Sequence, residues 1–384
     1  MGMLRVVLLL NIILISFALT GCIDELTGSE SGSTVVGAPN PSGTFDASRT
    51  VCDPFKTNSQ QARDRGLVGN LVYLTNDQPR YSNVEDYANH AVVAPVTIYL
   101  DRLYTPPRPF DLGFYTQSGE LVKSINNDTI YQYFGIQVKS QLQLAINEEP
   151  GYYQMALLAD VGAKIKITDD SGVEQTIINT EGMHSLKFAC AAEPVYLDRN
   201  SKLPMTLQYY QESSDHISLV AMWRPWPTDG KDPTKDVFCQ RSVHSLYEYS
   251  DSAPALPKDA YYEMLAKGWK VLENENYNFP EQTDNPCVSA EEPLAITGFS
   301  ISGVARDRVT LSWVTNIPAT SQGNSKNIAT GVSTLTALDT TMVTSHSLTI
   351  TGLSPNTLYS VQALSSSGGG QNAISDERAF RTPR

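Results

Sequence analysis

Positive charge is scarce in this chain. Lys and Arg number 28 against 41 Asp and Glu, a formal net charge of -13 over 384 residues. An acidic surface without a basic stripe repels phosphate backbones, which excludes nucleic acid as a partner. Charged residues of either sign reach only 18% while hydrophobic ones make up 41%, a balance foreign to coiled coils and to wholesale disorder. Histidine is sparse too: His90, His184, His216, His244 and His346 form no ligand-spaced cluster, and no two cysteines lie close together, so a His/Cys metal site has no footing. Also missing are a Gly-x-Ser-x-Gly elbow, a His-Glu-x-x-His helix and a Gly-rich phosphate loop. The acid pairs Glu148-Glu149 and Glu291-Glu292 are chain neighbours. Such neighbours do not set the gap of about 5 to 10 Å that glycoside hydrolysis needs between its carboxylates. The expectation is a non-enzyme, with a polysaccharide-active hydrolase as the least favoured alternative.

A long apolar run occurs at the start, where Met1-Gly2-Met3-Leu4-Arg5 is followed by Val6 to Leu19. It is short for a membrane span and has the layout of an export signal. Its end, Leu19-Thr20-Gly21-Cys22, resembles the lipobox of bacterial lipoproteins. That resemblance implies cleavage before Cys22 and acylation of Cys22, leaving a chain anchored to the lipid bilayer; two or three acyl chains hold stably where one does not. Ile23 in place of an aspartate favours the outer membrane or cell surface. Residues 1–21 are thus the signal peptide, and 22–48, rich in Ser, Gly, Thr and Pro, read as a flexible tether.

From Gly66 to Pro227 the dominant period is two: Ile136 and Val138; Leu142, Leu144 and Ile146; Tyr153, Met155 and Leu157; Ile165 and Ile167; Met205, Leu207 and Tyr209; Ile217, Leu219, Ala221 and Trp223. Strands with one buried face produce this pattern, and turn signals such as Glu149-Pro150-Gly151 and Asp169-Asp170-Ser171-Gly172 separate them. Gly66-Leu67-Val68-Gly69, Arg108-Pro109-Phe110-Asp111-Leu112-Gly113-Phe114, Gly151 to Leu157 running into Ala159 to Ile167, and Leu207 to Trp223 together resemble the PA14 family. The resemblance implies a β-sandwich over 49–228, a module that serves carbohydrate binding or structure. Sugar-binding members hold calcium with a consecutive Asp-Asp pair joined by a cis peptide bond. Here Asp160 matches the first aspartate and Val161, which has no side-chain oxygen, stands at the second. No cofactor is therefore expected, and Asp160, Asp169 and Asp170 are the weak metal candidates, the last two reading better as a turn. Trp223 and Trp226, around Arg224 and Pro225, are candidates for a ring-stacking ligand site, against a reading in which the indoles pack on the sandwich.

Residues 229–287 form an appendage with one short helix from about Lys258 to Leu272, on which Tyr261, Leu265, Trp269 and Leu272 make an apolar stripe. With Cys22 used for lipid, Cys52, Cys190, Cys239 and Cys287 suit two disulfides in an exported chain, three pairings being open. The preferred one joins Cys52 to Cys190 and Cys239 to Cys287. Residues 288–384 change character, poor in charge and rich in Thr and Ser. Val309-Thr310-Leu311-Ser312-Trp313, Leu353-Ser354-Pro355-Asn356-Thr357-Leu358-Tyr359-Ser360-Val361 and the closing Thr382-Pro383 resemble the fibronectin type III family. That resemblance implies a second β-sandwich with Trp313 and Tyr359 in its core, serving as a spacer. The whole reads as all-β: a PA14-like sandwich, a short helical appendage and a fibronectin type III-like sandwich. The function expected is a lipid-anchored binding or adhesion protein of the bacterial envelope that recognises a glycan or an envelope protein. A structural or assembly component without a sugar ligand is the alternative.

Overall fold

A computed structural model describes residues 46–57, 64–169, 171–182, 187–214, 216–239, 242, 245–248, 254–280, 285–288 and 293–384. Cys22, Asp170, His184, His244 and the pair Glu291-Glu292 lie outside them. The first region runs β1 (Thr50–Cys52), β2 (Leu67–Tyr73), α1 (Val84–His90), β3 (Val92–Leu100), β4 (Tyr104–Pro109), β5 (Phe134–Leu142), β6 (Gly151–Asp160), β7 (Gly162–Thr168), β8 (Glu174–Asn179), β9 (Lys187–Cys190), β10 (Val195–Leu197), β11 (Leu203–Gln211) and β12 (His216–Pro225). The appendage adds α2 (Asp259–Ala266), β13 (Lys270–Val271) and β14 (Tyr277–Asn278).

These strands make two layers. The first has the order β1-β3-β2-β5-β11-β7-β8 with β14 also on β5; the second has β10-β6-β12-β13 with β9 also on β6 and β4 also on β12. The alternating residues meet between them: Ile136, Val138 and Leu142 with Ile165, Ile167, Met205, Leu207 and Tyr209 from one layer, and Tyr153, Met155, Leu157, Ile217, Leu219, Ala221 and Trp223 from the other. The run Leu142, Leu144, Ile146 is cut short, because β5 ends at Leu142 and Ile146 is exposed. β6 and β12 are buried on both faces, which explains their nearly continuous apolar sequences. Outward-facing Ala156, Leu158, Val220 and Met222 sit beneath Phe238, Tyr261, Tyr262, Met264 and Trp269 of the appendage.

The appendage helix stops earlier than its stripe suggests. Gly268 adopts φ +91 directly after α2, and Trp269 and Leu272 belong instead to the segment around β13, which pairs with β12 at Trp223 and Met222. Trp269 still reaches the buried cluster by this extended route. A second helix, α1, was not foreseen from the strand rhythm; its start is marked by Asn83, whose side chain accepts the Asp86 N–H at 2.8 Å.

The cysteine pairing also needs correction. The bonds are Cys52–Cys287 and Cys190–Cys239, with Cα separations of 5.7 and 5.4 Å. Cys52 ends β1 in the first layer, whereas Cys190 ends β9 in the second, so a bond between them would have to cross the sandwich. Each layer instead holds one end of the appendage.

The C-terminal region consists of β15 (Ile296–Ser302), β16 (Arg308–Asn327), β17 (Ser333–Leu335), β18 (Asp339–Thr351), β19 (Leu358–Ser366), β20 (Asn372–Ile374) and β21 (Arg378–Arg381). β16 serves both faces of this sandwich, pairing with β15 and β18 along its first half and with β17 and β19 along its second. Trp313 is buried, its indole N–H donates to Ser365 Oγ at 3.0 Å, and His346 stacks on it with ring centroids 4.8 Å apart. The Tyr359 hydroxyl accepts the Ser354 N–H at 3.0 Å. This sandwich is docked onto the rest of the molecule. Arg102 pairs with Asp376, Glu273 with Arg378 and Glu263 with Arg381, while Leu358 and Ala379 join the buried cluster around α2.

Candidate binding surface

The Asp160 end of the sandwich comes first, since the PA14 resemblance points there. The Asp160–Val161 peptide is cis. Tyr209, buried in the core, donates its hydroxyl to the Asp160 carbonyl. Val161 points its side chain into an apolar cluster with Leu74, Val84, Tyr87 and Tyr210, under α1. A buried valine supplies no ligand oxygen, so the second carboxylate of the calcium-holding pair has no counterpart in this loop. Asp169 closes the β7–β8 hairpin: its carboxylate accepts the N–H of Ser171 at 2.9 Å and of Val173 at 3.0 Å, and these bonds hold its pKa below the usual range. That is turn geometry, with Gly172 at φ +77 completing it.

The two tryptophans of the second candidate separate. Trp223 is removed as a ligand contact because it is fully buried: its ring packs against Tyr153 with centroids 4.9 Å apart, and its indole N–H donates to Glu148 at 2.9 Å. Glu148 in turn accepts the Ala145 N–H and the Asn276 side-chain amide, each at 2.7 Å, and pairs with Lys270. A carboxylate so fully engaged is a structural tie between sandwich and appendage, and its neighbour Glu149 stands in solvent, so the two do not converge as a catalytic pair.

Trp226 follows β12 and remains half-buried, its backbone N–H donating to the Tyr152 carbonyl at 2.7 Å. Tyr152 is 57% exposed, and across β6 its register partner is Tyr196 of β10, 50% exposed. The two phenol rings lie with centroids 5.0 Å apart at 59°. Trp226, Tyr152 and Tyr196 therefore occupy successive positions across neighbouring chain segments, at the end of the second layer where the appendage cover stops. Arg199, following β10, reaches the carbonyls of Ala145 and Ile146 at 3.1 and 3.2 Å and lies 3.9 Å from the Glu149 carboxylate. The exposed Tyr152 and Tyr196 rings offer apolar stacking area.

Tyr152 and Tyr196 escaped the sequence reading, although the signal was there. Tyr153 faces inward in a period-two strand, so Tyr152 must face out, and Tyr196 alternates with the buried Val195 and Leu197 in the same way.

No protein-family model and no curated protein matches the chain. Among solved structures, the PA14 domain of the antifreeze protein MpAFP aligns over 49% of this chain and 93% of its own, with 13% identity and TM-score 0.32. The FN5 domain of Drosophila Lar aligns over 24% of this chain and 98% of its own, with 18% identity and TM-score 0.21. An anti-sigma factor domain-containing protein covers 81% of this chain and 96% of its own, at 10% identity and TM-score 0.30. Scores this low carry no functional argument. The class is defined by the chain's own strands: an all-β protein of stacked β-sandwiches, cross-linked by two disulfides. Such bonds persist in secreted or surface proteins, outside the reducing cytosol. Among the described residues no helix is long and apolar enough to cross a membrane.

Proposed function

We propose that this chain is a lipid-anchored binding protein of the bacterial envelope, held at the outer membrane or cell surface through Cys22, and that it recognises glycans without catalysis. The observation that carries this reading is the exposed Tyr152–Tyr196 ring pair beside Trp226. Sugar rings present one apolar face of C–H groups and a rim of hydroxyls. Tyrosine rings match the face, and their hydroxyls can bond the rim. The acidic net charge disfavours phosphate-rich polymers and favours neutral or basic sugars.

Screening the protein on a glycan array and titrating the best ligand tests the site. The double variant Tyr152→Ala/Tyr196→Ala is expected to weaken binding at least about tenfold with an unchanged circular dichroism spectrum. Equal affinity in wild type and variant would remove the site from consideration. For the anchor, Cys22→Ser is expected to move the chain from the detergent phase to the aqueous phase on Triton X-114 partition. Retention in the detergent phase would contradict lipidation at that residue.

A further inference from the structure

The first sandwich carries a cleft at the end remote from Tyr152. The turn after β2, residues 74–80, and the loop leading into β5, residues 124–133, enclose about 470 Å³. Leu74 and Tyr133 from its lining pack with Val161, which follows β6, whereas Tyr152 stands at the start of that strand. The length of β6, about 30 Å of extended chain, thus separates this cleft from the Tyr152–Tyr196 rings.

Within the cleft, the guanidinium of Arg80 is held by two supports. Its carbon lies 4.1 Å from the centroid of the Tyr133 ring, and its Nη1 donates to the Thr75 carbonyl at 3.1 Å. The Thr75 bond takes one of a guanidinium's five N–H donors, and Arg80 is exposed, so donors remain for a ligand. Both supports are themselves fixed. The Thr75 N–H donates to Gln78 Oε1 at 2.8 Å and its hydroxyl to Asp77 at 2.6 Å. Tyr133 has φ +50, a left-handed conformation uncommon for a bulky residue, and its carbonyl accepts the Leu74 N–H at 2.9 Å while its own N–H donates to the Glu212 carbonyl at 3.3 Å. Backbone in so unfavourable a region persists only where its surroundings impose it, and here it sets the ring against the guanidinium.

Side-chain amides and a carboxylate stand around this cation. Asn76, Asn126 and Gln132 each offer donors and an acceptor, and Asp128 offers two acceptor oxygens. We infer that the cleft binds a uronic acid, its carboxylate on Arg80 and its hydroxyls on Asp128 and the three amides. Each part of the lining selects one part of this ligand. A planar guanidinium matches a carboxylate through two parallel hydrogen bonds. A neutral hexose leaves that cation unused, and an amino acid engages Arg80 and Asp128 but leaves the amides to water. Phosphate brings a second negative charge to a cleft that already holds Asp128, in a chain of net charge -13. The same field opposes a polyuronate, which repeats its charge at every sugar, so the ligand is a single or terminal uronate. This site stands apart from the ring pair at Tyr152 and Tyr196, and the two are separable by variants.

Isothermal titration calorimetry of the full chain in detergent tests this with D-glucuronate and D-galacturonate, each beside its parent hexose, and with acetate. At least one uronate is expected to bind about tenfold or more tightly than both its hexose and acetate, the gain of one charge-assisted contact. Arg80→Gln, at an exposed position, is expected to bring that uronate down to the level of its hexose with an unchanged circular dichroism spectrum, while Tyr152→Ala/Tyr196→Ala keeps the preference. Failure of both uronates to bind at about 20 mM overturns the inference. So does a hexose or acetate that binds as tightly as the uronate, or a preference that survives Arg80→Gln. A preference lost in the ring variant overturns it as well, because the uronate then sits at the rings. Should Arg80→Gln alter the spectrum, Asn126→Asp, also exposed, replaces it: the added carboxylate is expected to weaken the uronate more than the hexose, and an equal effect on both overturns the inference.

Discussion

Glu275 is a carboxyl kept almost wholly from water where the appendage meets the C-terminal sandwich, accepting the Gly298 N–H at 2.7 Å. Burial, reinforced by the neighbouring Glu273 carboxylate and only partly offset by hydrogen bonds and by Arg65, pushes its pKa up to about 7. The folded chain therefore holds a proton that the unfolded chain has released above its ordinary carboxyl range. Stability from this group is full in acid, falls as the pH rises from about 4.5 to 7 and levels off above that. In urea titrations across this range, wild-type stability should drop relative to Glu275→Gln, by an amount on the order of 3 kcal/mol. A constant difference between the two proteins would show that Glu275 titrates normally. No pattern of neighbouring residues marks Glu275, because its burial comes from a docking between segments far apart in the chain. Trp313 and Tyr359 were legible, since a core tryptophan and a strand tyrosine occupy a fixed rhythm. Trp223 was legible as an inward position of a period-two strand, but its indole bond to Glu148, which comes from a distant segment, was not.

Elements were legible where one face alternates, and obscure where a backbone turn or a second cover intervened. The inward residues of β5, β6, β11 and β12 followed directly from the period of two. The end of α2 did not, because Tyr261, Leu265, Trp269 and Leu272 keep helical spacing through a glycine that breaks the helix. The cysteine pairing was hidden for a related reason: chain order does not reveal which layer a short strand joins. Cys190–Cys239 fastens the start of the appendage to β9 across 49 residues of sequence. Closing a loop of that length stabilises the folded state by about 4 kcal/mol in chain-entropy reckoning. Cys190→Ser/Cys239→Ser should therefore lower the unfolding free energy by roughly 2 to 4 kcal/mol in guanidinium. An unchanged midpoint would mean that packing against Trp269 and Tyr261 alone keeps the appendage in place.

On the scale of the whole molecule, the appendage and the C-terminal sandwich cover most of the outer face of β6 and β12. Three cross-region ion pairs fix this arrangement, so the last sandwich is a docked part of the body and not a loose spacer. The cover ends at Tyr152, Tyr196 and Trp226, and the proposed recognition site is the exposed remainder. Hydrogen–deuterium exchange of the full chain with its best array glycan tests that claim most directly. The account predicts slowed exchange in residues 149–154, 194–199 and 225–227, with the Asp160–Gly162 turn unchanged. Protection confined to the Asp160 end, or to the C-terminal sandwich, would contradict it.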